Sequence, residues 1–175
     1  MVNLAFQSRL KESEISMKQY NILFLCTHNS ARSIIGEALA STHPSGKLKG
    51  FSAGSTPGTS VNPYAAQIAK ELGLDTYLLK SKSWDVFAQP DAPKMDFVIT
   101  VCDDAAGEQC PFWPGQPVTA HWGFPDPSQV QGTDIEKKTA FVNVMKGLQK
   151  RIDVLAALPL DKLDSISLRE IHTKS

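Results

Sequence analysis

Cys26, Arg32 and Ser33 are three side chains that together could bind and attack an anion. A cysteine thiolate is a strong nucleophile, and a guanidinium offers a planar pair of donors to two oxygens of a tetrahedral anion. The five residues between Cys26 and Arg32 are the length of a short loop. The stretch CTHNSARS therefore predicts a site in which a sulfur lies beneath a bound oxyanion.

The flanking sequence predicts the elements that would hold this loop. Residues 21–25 are an apolar run typical of a buried parallel strand, and residues 31–42 have the apolar spacing of a helix. Between a strand and a helix, backbone N–H groups can turn toward an anion, and the positive end of the helix adds attraction. Ser33 can donate a hydrogen bond to the sulfur. The expected oxyanion-binding residues are Thr27, His28, Asn29, Ser30, Ala31 and Arg32.

Strand and helix patterns alternate along the rest of the chain. Further strands are predicted at 50–54, 95–101 and 118–122. Helices are predicted at 62–73, with Asn62 as the N-cap, from the capping box at 133–136 to Pro159, and at 160–171. This alternation predicts an α/β three-layer sandwich with a four-stranded parallel sheet, in which ligands bind at the carboxyl ends of the strands. We expect residues 17–175 to form a single domain, and residues 1–16 to be an extension that need not be ordered.

The composition excludes several other classes of protein. Eighteen basic and eighteen acidic residues give no net charge, so nothing favours nucleic acid or an anionic membrane as partner. No signal peptide or membrane-spanning run is visible, and three cysteines are an odd number for a disulfide framework, so we expect a cytoplasmic protein. No glycine-rich dinucleotide motif follows a strand, which predicts no bound cofactor. A zinc site from Cys102, Cys110 and His121 is a weaker alternative, because their spacing matches no usual ligand motif.

The loop also resembles a known family. The stretch NILFLCTHNSARS resembles the phosphate-binding loop of the low-molecular-weight protein tyrosine phosphatases, and Phe51-Ser-Ala-Gly54 resembles that family's Ser-Ala-Gly segment. The similarity runs from about Gln19 to Leu158. It implies a four-stranded parallel sheet flanked by helices, with Cys26 as nucleophile and Arg32 as oxyanion clamp.

That family contains two chemistries, phosphate ester hydrolysis and arsenate reduction. The stretch TVCDDAAGEQCPFWPGQPVTAHWGFPDP resembles the thioredoxin-coupled arsenate reductases. Ser128 and Gln129 follow Asp126-Pro127, where the phosphatases usually carry two aromatic residues that receive an aromatic ester. The resemblance implies reduction of arsenate to arsenite for arsenical resistance. A phosphatase hydrolysing phosphate monoesters and an oxyanion sensor without turnover are the alternatives.

Two further cysteines could supply the electrons. Cys102 ends the third predicted strand, at the sheet edge that holds Cys26. It could attack the Cys26–arsenic adduct, and Cys110 could then attack the Cys26–Cys102 disulfide. An intact helix would hold two residues eight apart about 12 Å from each other, whereas a disulfide needs Cα atoms about 4.4–6.8 Å apart. Residues 103–109 would therefore form a loop or unwind. Thioredoxin is the expected reductant, and glutathione with glutaredoxin is the alternative.

Some single residues have more than one interpretation. Asp126 is the expected general acid, with Asp103, Asp104 and Asp134 as competitors. Glu37 could hold the loop in place through a hydrogen bond or a bound monovalent cation. The simpler expectation is that it lies on a solvent-exposed face of the helix. The tryptophans, Trp84, Trp113 and Trp122, are predicted to pack rather than to bind a cofactor.

Overall fold

The computed structural model describes residues 18–102, 111 and 113–174, and the predicted extension at 1–16 lies outside them. Four strands form one parallel sheet in the order β2-β1-β3-β4: β1 Tyr20–Cys26, β2 Leu48–Gly54, β3 Phe97–Thr100 and β4 Val118–His121. This confirms the predicted four-stranded parallel sheet. At the carboxyl end of β1 and its edge neighbour β2, Cys26 is in register with Gly54.

In the described part of the chain, four α-helices connect and follow the strands: α1 Arg32–Ser41, α2 Pro63–Glu71, α3 Asp134–Ala157 and α4 Ser165–Lys174. The predicted signals are present at their ends. The Asn62 side chain caps α2, and Thr133 and Glu136 form the capping box of α3. No helix in the described ranges is long and apolar enough to cross a membrane.

The prediction of one final helix over 160–171 was wrong. Residues Leu160–Lys162 form a separate 3-10 turn, and the backbone is extended at Leu163. The Asp164 side chain then accepts a hydrogen bond from the backbone N–H of Ser167 at 2.8 Å, which starts α4. The apolar spacing that predicted one helix continues across this break. The local hydrogen bond to the Asp164 side chain sets the start of α4 instead.

The core has two parts, one on each face of the sheet. The larger cluster joins β1 and β3 to all four helices, and Trp122 is fully buried in it. The smaller cluster on the other face contains Trp84, Phe87 and Trp113, with the two tryptophan rings packed edge to face. All three tryptophans are thus packing residues, as predicted.

Close contact between α1 and β1 sets the geometry of the loop that joins them. A Cβ atom on Gly36 would lie 2.6 Å from the ring of Phe24, so α1 approaches the strand more closely than a larger residue would allow. Phe24 is fully buried, and burial of such a side chain stabilises the fold by roughly 1.5–3 kcal/mol. The first turn of α1 is thereby held next to the end of β1.

Candidate active site

Residues 27–31 form the irregular loop between β1 and α1, and Cys26 lies buried at its start. Asn29 has φ 51°, a left-handed conformation that Asn adopts more readily than most residues. This turn directs the Asn29 backbone N–H to the sulfur of Cys26, at 3.2 Å. The loop therefore wraps around the thiol instead of leading away from it.

A second donor reaches the same sulfur. The hydroxyl oxygen of Ser33 lies 3.0 Å from the Cys26 sulfur, and the Asn29 side-chain N–H donates to this oxygen at 2.8 Å. Because the Ser33 oxygen accepts from Asn29, its own proton can be directed at the sulfur. Such hydrogen bonds stabilise a thiolate relative to a thiol. The structure thus places Ser33 where the sequence predicted it.

The segment that follows β2 holds the outer side of the loop. Thr56 N–H donates to the Thr27 carbonyl at 2.8 Å, Gly58 N–H to that of His28 at 2.9 Å, and Asn62 N–H to that of Ser30 at 2.8 Å. These carbonyls point outward into the protein. The arrangement leaves the inner side of the loop for N–H groups, as an anion requires.

Gly54 permits this close approach of the two segments. A Cβ atom there would lie 2.5 Å from the Thr27 carbonyl oxygen and 2.9 Å from the Asn29 nitrogen. In the sequence, Gly54 is recognisable as the end of a predicted strand and of the Ser-Ala-Gly segment, but its role at the site is not. His28 is exposed, and its Nδ1 lies 3.1 Å from the Thr56 carbonyl oxygen.

Arg32 and Asp126 meet at the entrance of the loop. The Arg32 guanidinium donates to the Phe124 carbonyl at 2.9 Å and lies 3.6 Å from an Asp126 carboxylate oxygen. Burial of Asp126 opposes its charge, but hydrogen bonds from Ser128 and the nearby Arg32 outweigh it and hold the pKa of this carboxyl below its usual range. Asp126 is therefore an ionised partner of Arg32 in this arrangement.

Cys102 lies at the same end of the sheet as Cys26. Its sulfur is buried and lies 3.5 Å from the hydroxyl of Thr27, the residue that follows Cys26. The predicted relay partner Cys110 and the competing acids Asp103 and Asp104 lie outside the described residues. The third competitor, Asp134, accepts a hydrogen bond from the Tyr64 hydroxyl at the start of α3. His121 contacts the Thr100 hydroxyl at 2.8 Å.

Glu37 and Lys82 form a charged pair behind the loop. Glu37 is 8% exposed, so the expectation of a solvated helix face was wrong. The Ser52 hydroxyl donates to its carboxylate at 2.8 Å, and the Lys82 ammonium lies 3.8 Å from it. Burial raises the pKa of Glu37 and lowers the pKa of Lys82, while each charge partly offsets the shift of the other.

Lys82 also contacts the loop itself, and this contact was not predicted from the sequence. Its backbone N–H donates to the side-chain oxygen of Asn29 at 3.0 Å, and its ammonium lies 3.5 Å from the same oxygen. The Ser81 hydroxyl donates to the Asn29 carbonyl at 2.7 Å. Residues 80–82 read as an ordinary polar connection, so the sequence carried no signal for this contact.

Three features define a phosphatase-like class of oxyanion-binding fold. They are the parallel sheet, the buried cysteine at the end of β1 and the arginine at the start of α1. A family model for low molecular weight phosphotyrosine protein phosphatases matches residues 21–165. The chain belongs to this family.

The relatives of this chain include arsenate reductases. The chain is 36% identical over 140 residues to an arsenate reductase of Halalkalibacterium halodurans, a match that covers 80% of this chain and 97% of the relative. Two solved structures are similar, an arsenate reductase in a phosphate-binding state and one in an oxidized state. The first has a TM-score of 0.58 and 27% identity, and the second 0.61 and 26%, each covering 79% of this chain and 98% of the other.

Proposed function

We propose that this protein reduces arsenate to arsenite and so serves arsenic detoxification. The observation that carries the proposal is the second thiol: Cys102 is buried two residues after the end of β3, with its sulfur 3.5 Å from the hydroxyl of Thr27, the residue after Cys26. Hydrolysis of a phosphate ester needs one nucleophilic cysteine, whereas reduction of arsenate needs two electrons from further thiols. The names of the relatives support the same assignment.

The first step is attack by the Cys26 thiolate on the arsenic atom. An S–As bond forms, and one arsenate oxygen leaves as water after protonation. Arg32 and the N–H groups of the loop, Thr27 to Ala31, would bind the remaining oxygens. Ser33 and the Asn29 N–H hold the sulfur in position before attack, through the contacts of 3.0 and 3.2 Å.

Asp126 is the proposed source of the proton for the leaving oxygen. In the structure its carboxylate faces Arg32 at 3.6 Å. A bound arsenate would draw the guanidinium toward its own oxygens and place negative charge near Asp126. Both changes favour the protonated carboxyl. Asp126 would thus change from the ionised partner of Arg32 to a neutral carboxylic acid next to the leaving oxygen.

The second step transfers two electrons to arsenic. The Cys102 thiolate attacks the Cys26 sulfur, the S–As electron pair stays on arsenic, and arsenite leaves while a Cys26–Cys102 disulfide forms. Cys110 would then attack Cys102, releasing the Cys26 thiolate and leaving a Cys102–Cys110 disulfide. An external dithiol reduces this last disulfide. Thioredoxin is the proposed reductant, with glutathione and glutaredoxin as the alternative, and a reducing cytoplasm is the fitting location.

The test compares arsenate turnover with aryl phosphate hydrolysis in the same preparation. We expect arsenate-dependent oxidation of NADPH when thioredoxin and its reductase are supplied, and little ester hydrolysis. Parallel assays with glutathione and glutaredoxin identify the reductant. Brisk hydrolysis of the ester without arsenate turnover under either reductant would make the protein a phosphatase. Binding of phosphate without either turnover would make it a sensor.

A further inference from the structure

We propose that Lys82 is a positioning residue that supports the nucleophilic reactivity of Cys26 by way of Asn29. This inference rests on the proposed role of Cys26 as nucleophile. Lys82 follows the loop by more than fifty residues and is joined to it by the packing of the segment after α2. Its ammonium does not need to touch the substrate in order to act.

The hydrogen bonds form a directed chain from Lys82 to the sulfur. The Lys82 backbone N–H donates to the Asn29 side-chain oxygen at 3.0 Å, which leaves the Asn29 amide nitrogen to donate to Ser33 at 2.8 Å. Ser33 is then free to donate its proton to Cys26 at 3.0 Å. Each donor in the chain is oriented by the one before it, so the sulfur accepts a hydrogen bond from Ser33 without donating one.

The ammonium adds charge to this chain. It lies 3.5 Å from the Asn29 oxygen and 3.8 Å from the Glu37 carboxylate, and it donates to the Lys80 carbonyl at 2.8 Å. Glu37 is itself nearly buried, and Lys82 lies between its carboxylate and the Asn29 oxygen of the loop. Loss of the ammonium removes the charge that offsets the burial of Glu37. Any fraction of Glu37 that stays ionised then places an unpaired negative charge behind the loop, which disfavours a thiolate.

Substitution of the Lys82 side chain separates the hydrogen bond from its backbone N–H from the charge of its ammonium. Lys82→Met keeps the backbone N–H that orients Asn29 and removes the ammonium alone. Lys80→Met is the matched control, because Lys80 is exposed, lies on the same segment and carries the same charge. The other titratable groups near the loop are the same in both variants: Cys102, His28, Arg32, Asp126 and Glu37.

The measurement is the rate of alkylation of Cys26 by iodoacetamide across pH, followed by mass spectrometry of the peptide that contains Cys26. We expect Lys82→Met to move the profile to higher pH and to slow alkylation at pH 7 by about 3- to 10-fold, the size expected for loss of one partly screened charge. Lys80→Met should follow the wild-type profile. Coincident profiles for Lys82→Met and wild type, or an equal shift in Lys80→Met, would overturn the proposal.

Chemical rescue distinguishes a charge effect from damage to the fold. Lys82 and Glu37 line a cavity of about 420 Å³ with Gly50, Phe51 and Leu78. In Lys82→Ala, ethylammonium chloride should enter this space and restore the alkylation rate, whereas tetramethylammonium chloride at equal ionic strength should not. Failure of ethylammonium to restore it would count against the proposal. Because these assays contain no arsenate, their outcome does not depend on whether the protein reduces it.

Discussion

The two described cysteines occupy different kinds of surroundings at the same end of the sheet. The sulfur of Cys26 is met by Asn29 N–H and the Ser33 hydroxyl, and the loop around it is held from both sides by residues 56–62 and 81–82. In the described part of the chain, Cys102 has one longer polar contact, 3.5 Å to Thr27. A nucleophile must be aligned with its target before reaction, whereas a relay thiol must be able to move.

Replacement of Cys102 tests this division most directly. Cys102→Ser should lower arsenate turnover by about a thousandfold or more, because the adduct on Cys26 loses the thiol that resolves it. Binding of phosphate as a competing oxyanion should be unchanged. Steady-state NADPH oxidation measures arsenate turnover, and titration with phosphate measures anion binding. Turnover close to the wild-type rate would show that an external thiol attacks the adduct and that Cys102 is not part of the relay.

Gly54→Ala should damage the aligned loop without touching either sulfur. The added Cβ would meet the Thr27 carbonyl oxygen at 2.5 Å, so the loop must shift. We expect a loss of about 3 kcal/mol in the free energy of unfolding, the upper part of the range for overpacking, together with weaker phosphate binding. Gly58→Ala is the control, because its nearest atom would be the His28 carbonyl oxygen at 3.7 Å. Equal effects of the two changes would contradict this account.

Ser33→Ala removes one donor from the sulfur and leaves the buried Asn29 amide without its acceptor. Hydrogen bonds to charged groups contribute about 1.5–3 kcal/mol, so turnover should fall by about 10- to 100-fold. Alkylation of Cys26 should slow at neutral pH, while that of Cys102 should not. Alkylation kinetics followed peptide by peptide would check this, and an unchanged Cys26 rate would show that Ser33 does not act on the sulfur.

The pairing of Asp126 with Arg32 should have the smallest effect, and it concerns stability. Because the pKa of Asp126 is lowered in the fold, its contribution is present above the ordinary carboxyl range and is lost as pH falls through the folded value. We expect Asp126→Asn to cost about 0.5 kcal/mol at neutral pH, the scale of a partly exposed pair, and the difference to vanish in acid. Thermal unfolding from pH 7 to 3 measures it. A difference that persists in acid would refute the pairing.

Much of the site was predictable because its residues are neighbours in the chain. Cys26, Asn29, Arg32 and Ser33 lie on one strand, loop and helix, and each of these elements has a local signature. Capping residues such as Asn62 and Thr133 were predicted for the same reason. The boundary of α4 was not, since apolar spacing continued through Leu163 and gave no sign of the break.

The sequence by itself determined which cysteine is the candidate nucleophile, which residues form the loop after it, and the order of strands and helices along the chain. It could do so because residue spacing and hydrophobic periodicity report local conformation. Only the tertiary structure decided what surrounds them. The Arg32–Phe124 contact spans 92 residues and the Lys82–Asn29 contact 53. Such contacts arise when separate βα units pack together, and no local pattern in the chain encodes which polar groups then meet. The burial of Glu37 and the need for glycine at position 54 follow from that packing.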